Sequence, residues 1–395
     1  MAFAPGGPAL DLAADVRRRR RLLREELAHS GLDAVVLSSE PNFQYFSGYR
    51  TPSWANRARP MLLLARADGS CLAVVSEAEA DRVESDGVDL EAIPYREPVA
   101  STDGGEAILE FIPAAVSAAA HGLRPARRLG LELSSHFQAG LPAAAMRQLA
   151  LELGAEPVDA ASILWRLRIR KSALEVDCLR RAADALERAY QTFAATAGAG
   201  LSERELHRLF LEAAAASGAD WIGYVSIVVD SRGALLGGLG ARRWERDRLL
   251  LVDAGLLVDG YWSDFWRIFV AGEPSQVQAA AYAEIFNSVR AEREAVAKEP
   301  RAADVARLVG RLLERGNGGV FGRVGHGIGL DLTEPPSLHC DDPTPIVAGM
   351  TLCVEPAGWF PEVGHLVAEE TIVVTEGGCE LISPAFPERL LPVGS

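Results

Sequence analysis

Three aspartates stand in one strongly apolar stretch, LLLVDAGLLVDGYWSDFWRIFV, residues 249–270: Asp253, Asp259 and Asp264. Asp259-Gly260 has the composition of a tight hairpin turn. With those two residues as the turn, paired positions sum to 519, so Asp253 faces Trp266 and Gly255 faces Asp264. Side chains alternate along a strand, which makes Asp253 and Asp264 diagonal neighbours on one face, about 7–8 Å apart at the backbone. Asp259 lies about 20 Å from Asp253 at ~3.3 Å per residue and serves the turn. Two buried carboxylates side by side repel each other and need a neutralising partner. A cation between them is one remedy and an arginine such as Arg267 is another, and the hairpin alone leaves both open.

Three further stretches carry related chemistry. GRVGHGIGLDLTEPP places His326 in a glycine-rich turn, where backbone can approach closely. MTLCVEPAG ends an apolar strand on Glu355, and GHLVAEETIVVTEGG puts Glu369 and Glu370 at mid-strand. Local alternation does not choose between Glu369 and Glu370. Four carboxylates and one neutral imidazole sum to −4, which two divalent cations balance. An oxygen-rich set of this kind suits Mn, Co or Zn in a paired site.

The elements that must position these groups come from a chain of 395 residues, 49% hydrophobic and 24% charged, long enough for two domains. In the first part, RRRRLLREELAHSG reads as an amphipathic helix stopped by Gly31, and LDAVVLSS as a buried strand followed by a turn at Glu40-Pro41-Asn42. MLLLARADGSCLAVV reads as a hairpin with a two-residue turn at Asp68-Gly69, and RLGLELSS as another strand. This alternation indicates an α/β domain. Residues 163–196 read as one long helical region opening a second domain, which ends in a strand-rich segment at 350–383. The net charge of −14 argues against nucleic-acid partners, and the run Arg17–Arg21 reads as a solvated helix face. No stretch reaches the ~18 apolar residues of a membrane span. The first residues lack a basic region followed by an apolar core, and the five cysteines are scattered, so a cytoplasmic protein with reduced thiols is expected.

Taken in order, the eleven-residue Asp–Asp spacing in a GYWSDFWR context, then GHGIG, VEP and EETIVVTEGG, resembles the creatinase/prolidase superfamily, which includes methionine aminopeptidase, aminopeptidase P and prolidase. SSEPNFQYFSGY is similar to the creatinase-type N-terminal domain, and RLRIRKSALEVDCLRRAA resembles the helix that opens the catalytic domain. The resemblance covers the whole chain. It implies an α/β (α+β) class, with a creatinase-type N-terminal α/β domain over 1–165 and a pita-bread catalytic domain over 166–395. It also implies Asp253, Asp264, His326, Glu355 and Glu369 as ligands of two divalent ions, with Asp264 and Glu369 bridging. The family register sets the last ligand nine residues before the glycine of the terminal turn, here Gly378, which selects Glu369 over Glu370. The implied chemistry is cleavage of an amide C–N bond by a hydroxide bridging the metals, with the carbonyl polarised by one ion. Glu355 would shuttle the proton, and Glu355 and His326 are the expected catalytic residues. The implied substrate is a short peptide of the Xaa-Pro kind, and the implied assembly is a homodimer.

The chain also departs from the family's peptidases. A histidine expected seven residues after the ligand histidine is Thr333, an arginine expected two before the last glutamate is Val367, and no histidine occurs between His207 and His326. His365 and His339 are candidates to compensate. Trp262, which shares the face of Asp264 with Trp266, and the Tyr49, Arg50 and Trp54 cluster are further candidates for substrate binding. Cys353 shares a strand face with Glu355. The competing reading is a nonpeptidase of this fold, acting on a small amide, a guanidino compound such as creatine, a cyclic amidine such as ectoine, or as a dimethylsulfoniopropionate lyase. The filled ligand positions disfavour the metal-free creatinase chemistry, and Gly255 stands where the lyase has an extra aspartate. Histone-chaperone relatives that only bind lose these ligands, and this chain keeps them.

Overall fold

Asp11 accepts the Ala14 N–H and so starts helix α1 (Leu12–Ser30), which ends at Gly31 with φ 63°. The apolar segment that follows is β1 (Ala34–Leu37). It lies inside a six-stranded mixed sheet with β2 (Leu62–Arg66), β3 (Cys71–Ser76), β4 (Glu91–Tyr95), β5 (Arg128–Leu131) and β6 (Glu156–Asp159), in the order β4-β3-β2-β1-β5-β6. The computed structural model describes residues 11–96, 111–134, 136–137, 139–315, 319–320 and 322–393. The chain divides between Arg168 and Ile169 into two units, each with its own core.

Two local expectations in the first unit are corrected. Glu40-Pro41-Asn42 is not a turn but the start of α2 (Glu40–Ser47), where proline in the first turn costs no hydrogen bond. The buried Glu132 carboxylate anchors this start. It accepts the N–H groups of Ser38 at 2.6 Å and Ser39 at 2.9 Å, both their hydroxyls, and the Asn42 amide at 2.6 Å. The hairpin at Asp68-Gly69 forms, yet its loop has an extra residue. Ala65 pairs Cys71 and the Arg66 N–H reaches Ser70 O, leaving Ala67, Asp68 and Gly69 between them. Asp68 Oδ1 accepts the Ser70 N–H and hydroxyl, and Gly69 takes φ 97°, which suits a three-residue loop. Helices α3 (Ala80–Asp86), α4 (Phe111–Leu123), α5 (Ala143–Leu153) and α6 (Ala161–Arg168) complete the unit.

The predicted single helical region over 163–196 is two helices. After α6, Ser172 caps α7 (Ala173–Thr196) in a capping box with Glu175, which restarts the helix after a break. Helix α8 (Glu203–Ala215) leads to β7 (Trp221–Val228), β8 (Leu249–Val258), β9 (Tyr261–Trp262) and β10 (Phe265–Val270). The β8–β10 hairpin has the register read from its turn. Asp259 and Gly260 take φ 52° and 80°, Trp262 pairs Leu257, and Trp266 pairs Asp253. Helices α9 (Gln276–Val296) and α10 (Ala302–Arg315) follow. The remaining strands are β11 (Gly319–Val320), β12 (Gly325–Gly327), β13 (Glu334–Ser337), β14 (Thr351–Val354), β15 (Ala357–Phe360), β16 (Gly364–Val367), β17 (Glu370–Thr375), β18 (Gly378–Leu381) and β19 (Leu391–Pro392). They form a sheet ordered β13-β12-β14-β17-β18 and a small sheet β11-β15-β16, while β19 joins β10. Leu249, Leu251, Trp266 and Ile268 on one face of the β8–β10 hairpin pack with α9, α10 and the second sheet into one core. Asp253 belongs to that same face by alternation. Among the described residues, no helix is long and apolar enough to cross a membrane.

Candidate metal centre

Asp253 sits in the middle of β8, buried, and Tyr224 on the neighbouring strand hydrogen-bonds its carboxylate. Its other oxygen, Oδ1, has no hydrogen-bond partner. Asp264 stands where the hairpin pairing lapses between β9 and β10. There the Ser263 hydroxyl bonds the Leu256 backbone, and Thr371 Oγ1 donates to Asp264 O at 2.9 Å, so the carboxylate is turned out of the ladder. It meets His326 from β12, with Nε2 at 3.4 Å from Asp264 Oδ2. His326 Nδ1 lies 2.8 Å from Gly327 O. A proton donated there leaves Nε2 as the lone pair facing the carboxylates, the arrangement that suits a metal ligand. The glycines of GHGIG are required by close approach. A side-chain carbon at Gly325 would lie 2.3 Å from Cys353 O, and one at Gly327 would lie 2.4 Å from Pro335 O.

Glu355 follows β14 and is the most open of the five, its side chain 18% exposed and its Oε1 3.7 Å from His326 Nε2. Glu369 immediately precedes β17, is 0% exposed, and neither of its oxygens has a partner. Glu370 turns the other way, pairing Arg293 at 2.6 Å and accepting the Phe386 N–H at 2.8 Å. Cys353 lies beneath, with Sγ 4.0 Å from Asp264 Oδ2. Ligand atoms of Asp264, His326, Cys353 and Glu369 all fall within 4.8 Å of one another.

The electrostatics follow from this crowding. Burial, then the Asp264 and Glu355 charges, holds Asp253 and Glu369 well above the ordinary carboxylate range. Burial also raises Glu355, with His326 and Arg323 partly offsetting the rise. For His326 burial pulls downward, but the hydrogen bond to Asp264 and the charges of Glu355 and Asp264 outweigh it, and the pKa rises. Buried carboxylate oxygens without donors are costly. Those of Glu369 gather with Asp264 and the His326 imidazole, and the Asp253 charge acts on Glu369, an oxygen-rich donor set that fits hard divalent cations.

The other candidates fall elsewhere. Trp262 lies half-buried over Gly223 and Gly255, where a side-chain carbon would come within 2.1 Å and 3.0 Å of its ring. Trp266 is buried in the core. His365 is on β16 opposite Trp359, its N–H donating to Ser231 O at 3.1 Å. His339 is on a loop beside Cys340, 3.5 Å from Asp341. Neither histidine is in the cluster around Asp264. In the first unit, the Tyr49 hydroxyl bonds Glu79 at 2.5 Å, Trp54 packs edge-on against Phe43, and Arg50 is exposed. Val367 is 2% exposed within the core, and Thr333 is exposed and accepts from Arg323 Nη2 at 3.3 Å. The sequence reading overlooked Tyr224, Arg323 and Glu292. Tyr224 alternates along the strand next to Asp253, and Arg323 stands three residues before His326, so both had a spacing signal. Glu292 on α9 is fully buried with both oxygens unpartnered, and burial and the Glu355 charge raise its pKa.

Comparison with known proteins places this arrangement in a lineage. The family model of metallopeptidase family M24 matches residues 177–376, and that of the creatinase/prolidase N-terminal domain matches residues 19–170. Over 279 residues the chain is 31% identical to "Probable dipeptidase PepE" of Mycobacterium tuberculosis, covering 69% of this chain and 74% of that protein. It is 28% identical over 232 residues to the Xaa-Pro dipeptidase of Pyrococcus furiosus, covering 58% of this chain and 67% of that one. The crystal structure of dipeptidase PepE from Mycobacterium ulcerans matches with a TM-score of 0.77 at 26% identity, over 97% of this chain and 99% of that chain. With a creatinase-type domain followed by a pita-bread domain, the chain belongs to metallopeptidase family M24 of the creatinase/prolidase superfamily and is a metallohydrolase.

Proposed function

We propose that Asp253, Asp264, His326, Glu355 and Glu369 hold two divalent cations, and that the protein hydrolyses the amide bond of a short peptide, Xaa-Pro dipeptides being the first class to test. The observation that carries this reading is the pair of buried, unpartnered Glu369 oxygens, whose ligand atom gathers with those of Asp264, His326 and Cys353 within 4.8 Å, with Asp253, its Oδ1 also unpartnered, near enough for its charge to act on Glu369. When bound, the cations would acidify a water molecule and polarise the substrate carbonyl. Asp264 and Glu369 would hold them from the middle of the cluster, and Tyr224 would orient Asp253. The Gly327 carbonyl holds the His326 ring in place. Glu355, nearest to solvent, is the base that takes the proton of the attacking water and returns it to the leaving nitrogen. The names of the relatives, dipeptidase and Xaa-Pro dipeptidase, support a small peptide substrate. Free cysteines suit a reducing cytoplasm, and the resemblance adds a homodimer. A nonpeptide amide, guanidino or cyclic amidine substrate is the second reading, favoured by the buried Val367 and by Thr333 at the two positions where the resemblance leads one to expect an arginine and a histidine.

The test is proline release from Xaa-Pro dipeptides and longer Xaa-Pro peptides by protein reconstituted with Mn, Co or Zn, with a chelated control. Chelator-sensitive cleavage supports the peptidase reading. No cleavage by fully loaded protein shifts the substrate to small nonpeptide amides and amidines.

A further inference from the structure

Cys353 belongs to the cluster around Asp264, and the five-ligand assignment leaves it out. It lies on β14 directly opposite His326 on β12 and Thr371 on β17, so its side chain shares their face of the sheet. The residue is 0% exposed. Its Sγ lies 3.8 Å from Asp264 O, 3.8 Å from Thr371 Oγ1 and 4.0 Å from Asp264 Oδ2. Thr371 donates its own proton to Asp264 O at 2.9 Å, so each of these neighbours can only accept from the thiol. Cys178, the other buried cysteine, differs, with Arg181 Nη2 3.1 Å from its sulfur. A second, independent observation points to a ligand. Glu369 is also 0% exposed, both of its oxygens lack a hydrogen-bond partner, and one of them gathers with Cys353 Sγ, an Asp264 oxygen and a His326 ring nitrogen within 4.8 Å.

We infer that Cys353 is a sulfur ligand of the ion held by His326, and that it biases this position toward thiophilic ions, zinc or cobalt, over manganese. This rests on the metal-centre reading and adds a sixth donor to it. Asp264, His326, Cys353 and Glu369 supply four donors, the number that zinc takes in a tetrahedral site. With metal–nitrogen, metal–oxygen and metal–sulfur bonds of about 2.0–2.3 Å, two donors of one tetrahedral ion stand about 3.4–3.6 Å apart. His326 Nε2 is 3.4 Å from Asp264 Oδ2, and Cys353 Sγ is 4.0 Å from the same oxygen, close to that spacing. The thiol proton leaves to solvent as the sulfur–metal bond forms. Sulfur is a soft donor that selects zinc, whereas manganese prefers carboxylate and water oxygens.

The experiment is optical absorption of the cobalt-loaded full chain, with metal content measured on each protein. Cys353→Ser removes the sulfur. Cys340→Ser is the control, because His339, Cys340 and Asp341 form another group of donors close together. Wild type and Cys340→Ser should show a sulfur-to-cobalt charge-transfer band in the near ultraviolet, and Cys353→Ser should bind cobalt without it. Cys353→Ser should also lose zinc affinity by at least about tenfold while its manganese affinity changes by less than about threefold. A band absent from cobalt-loaded wild type, retained in Cys353→Ser or lost in Cys340→Ser overturns the ligand assignment and leaves the metal centre standing. Unchanged zinc affinity, or equal losses of zinc and manganese, overturns the bias. A wild type that binds no cobalt overturns the centre and the thiol ligand together. Should Cys353→Ser fail to fold, X-ray absorption of zinc-loaded Cys340→Ser decides: a sulfur neighbour at about 2.3 Å is expected, and oxygen and nitrogen neighbours alone overturn the assignment.

Discussion

Asp264→Asn tests the proposed centre most directly, because the Asp264 carboxylate lies beside His326 and within 4.8 Å of the Glu369 and Cys353 ligand atoms. Ligand atoms of Asp264 and Glu369 lie within 4.8 Å. At an effective dielectric constant near 20, two unit charges at that separation repel by about 3.5 kcal/mol. The substitution removes that repulsion and also the attraction to His326, 3.4 Å away. These terms oppose each other, so the metal-free variant should melt within about 2 °C of metal-free wild type, each 1 kcal/mol being worth roughly 2–4 °C in a unit of this size. Metal response should separate the two proteins. At a free ion concentration of 100 Kd, binding stabilises wild type by about 2.7 kcal/mol, or roughly 5–10 °C. Asp264→Asn should lose nearly all of that gain and purify with depleted metal. The assay is a thermal melt across a Mn titration, paired with elemental analysis. A variant that keeps two ions per chain and the full rise in Tm would refute the ligand assignment and the reasoning from unpartnered oxygens.

Other substitutions separate neighbouring roles. Glu369→Gln should lose bound metal, whereas Glu370→Gln should keep it and lose only the pair with Arg293; the reverse pattern in elemental analysis would transfer the ligand role to Glu370. Lys171 and Glu334 form a buried pair at 2.7 Å, and Glu334 Oε1 accepts the Asp331 N–H in the loop after His326. Lys171→Met removes the charge that pairs with that buried carboxylate and should cost about 3–5 kcal/mol in urea unfolding, a cost below 1 kcal/mol showing the pair to be dispensable. The pH dependence has a definite sign. Asp253 and Glu369 have folded pKa values above the ordinary value near 4, so their contribution to stability is full below it and lost as pH rises through the folded values. His326, also raised, acts in the same direction above its ordinary value near 6.5. Chelated protein should therefore lose Tm between about pH 5 and 8 and saturating Mn should flatten the curve, while a chelated protein that gains stability over that range contradicts the assigned shifts.

What could be read from the sequence was what is local. The Asp259-Gly260 turn sets the pairing of its own strands, so the opposition of Asp253 and Trp266 followed from counting outward from two residues. The helix stop at Gly31 and the strand at Ala34–Leu37 were legible for the same reason, since caps and short-range periodicity depend on adjacent side chains. Where residues far apart in the chain meet, the tertiary structure decided. Glu40-Pro41-Asn42 opens a helix because Glu132, from another strand, receives its donors. Glu369 and Glu370 are both buried, and alternation was silent between them; Arg293 on α9 and the Phe386 N–H claim Glu370, leaving Glu369 without a donor. Arg323, just before β12, and Tyr224 on β7 acquired a place in the site only when the fold brought them beside Glu355 and Asp253. The residue types and the hairpin register are written in short-range order, whereas a carboxylate's partners, burial and proton affinity depend on which elements pack against it.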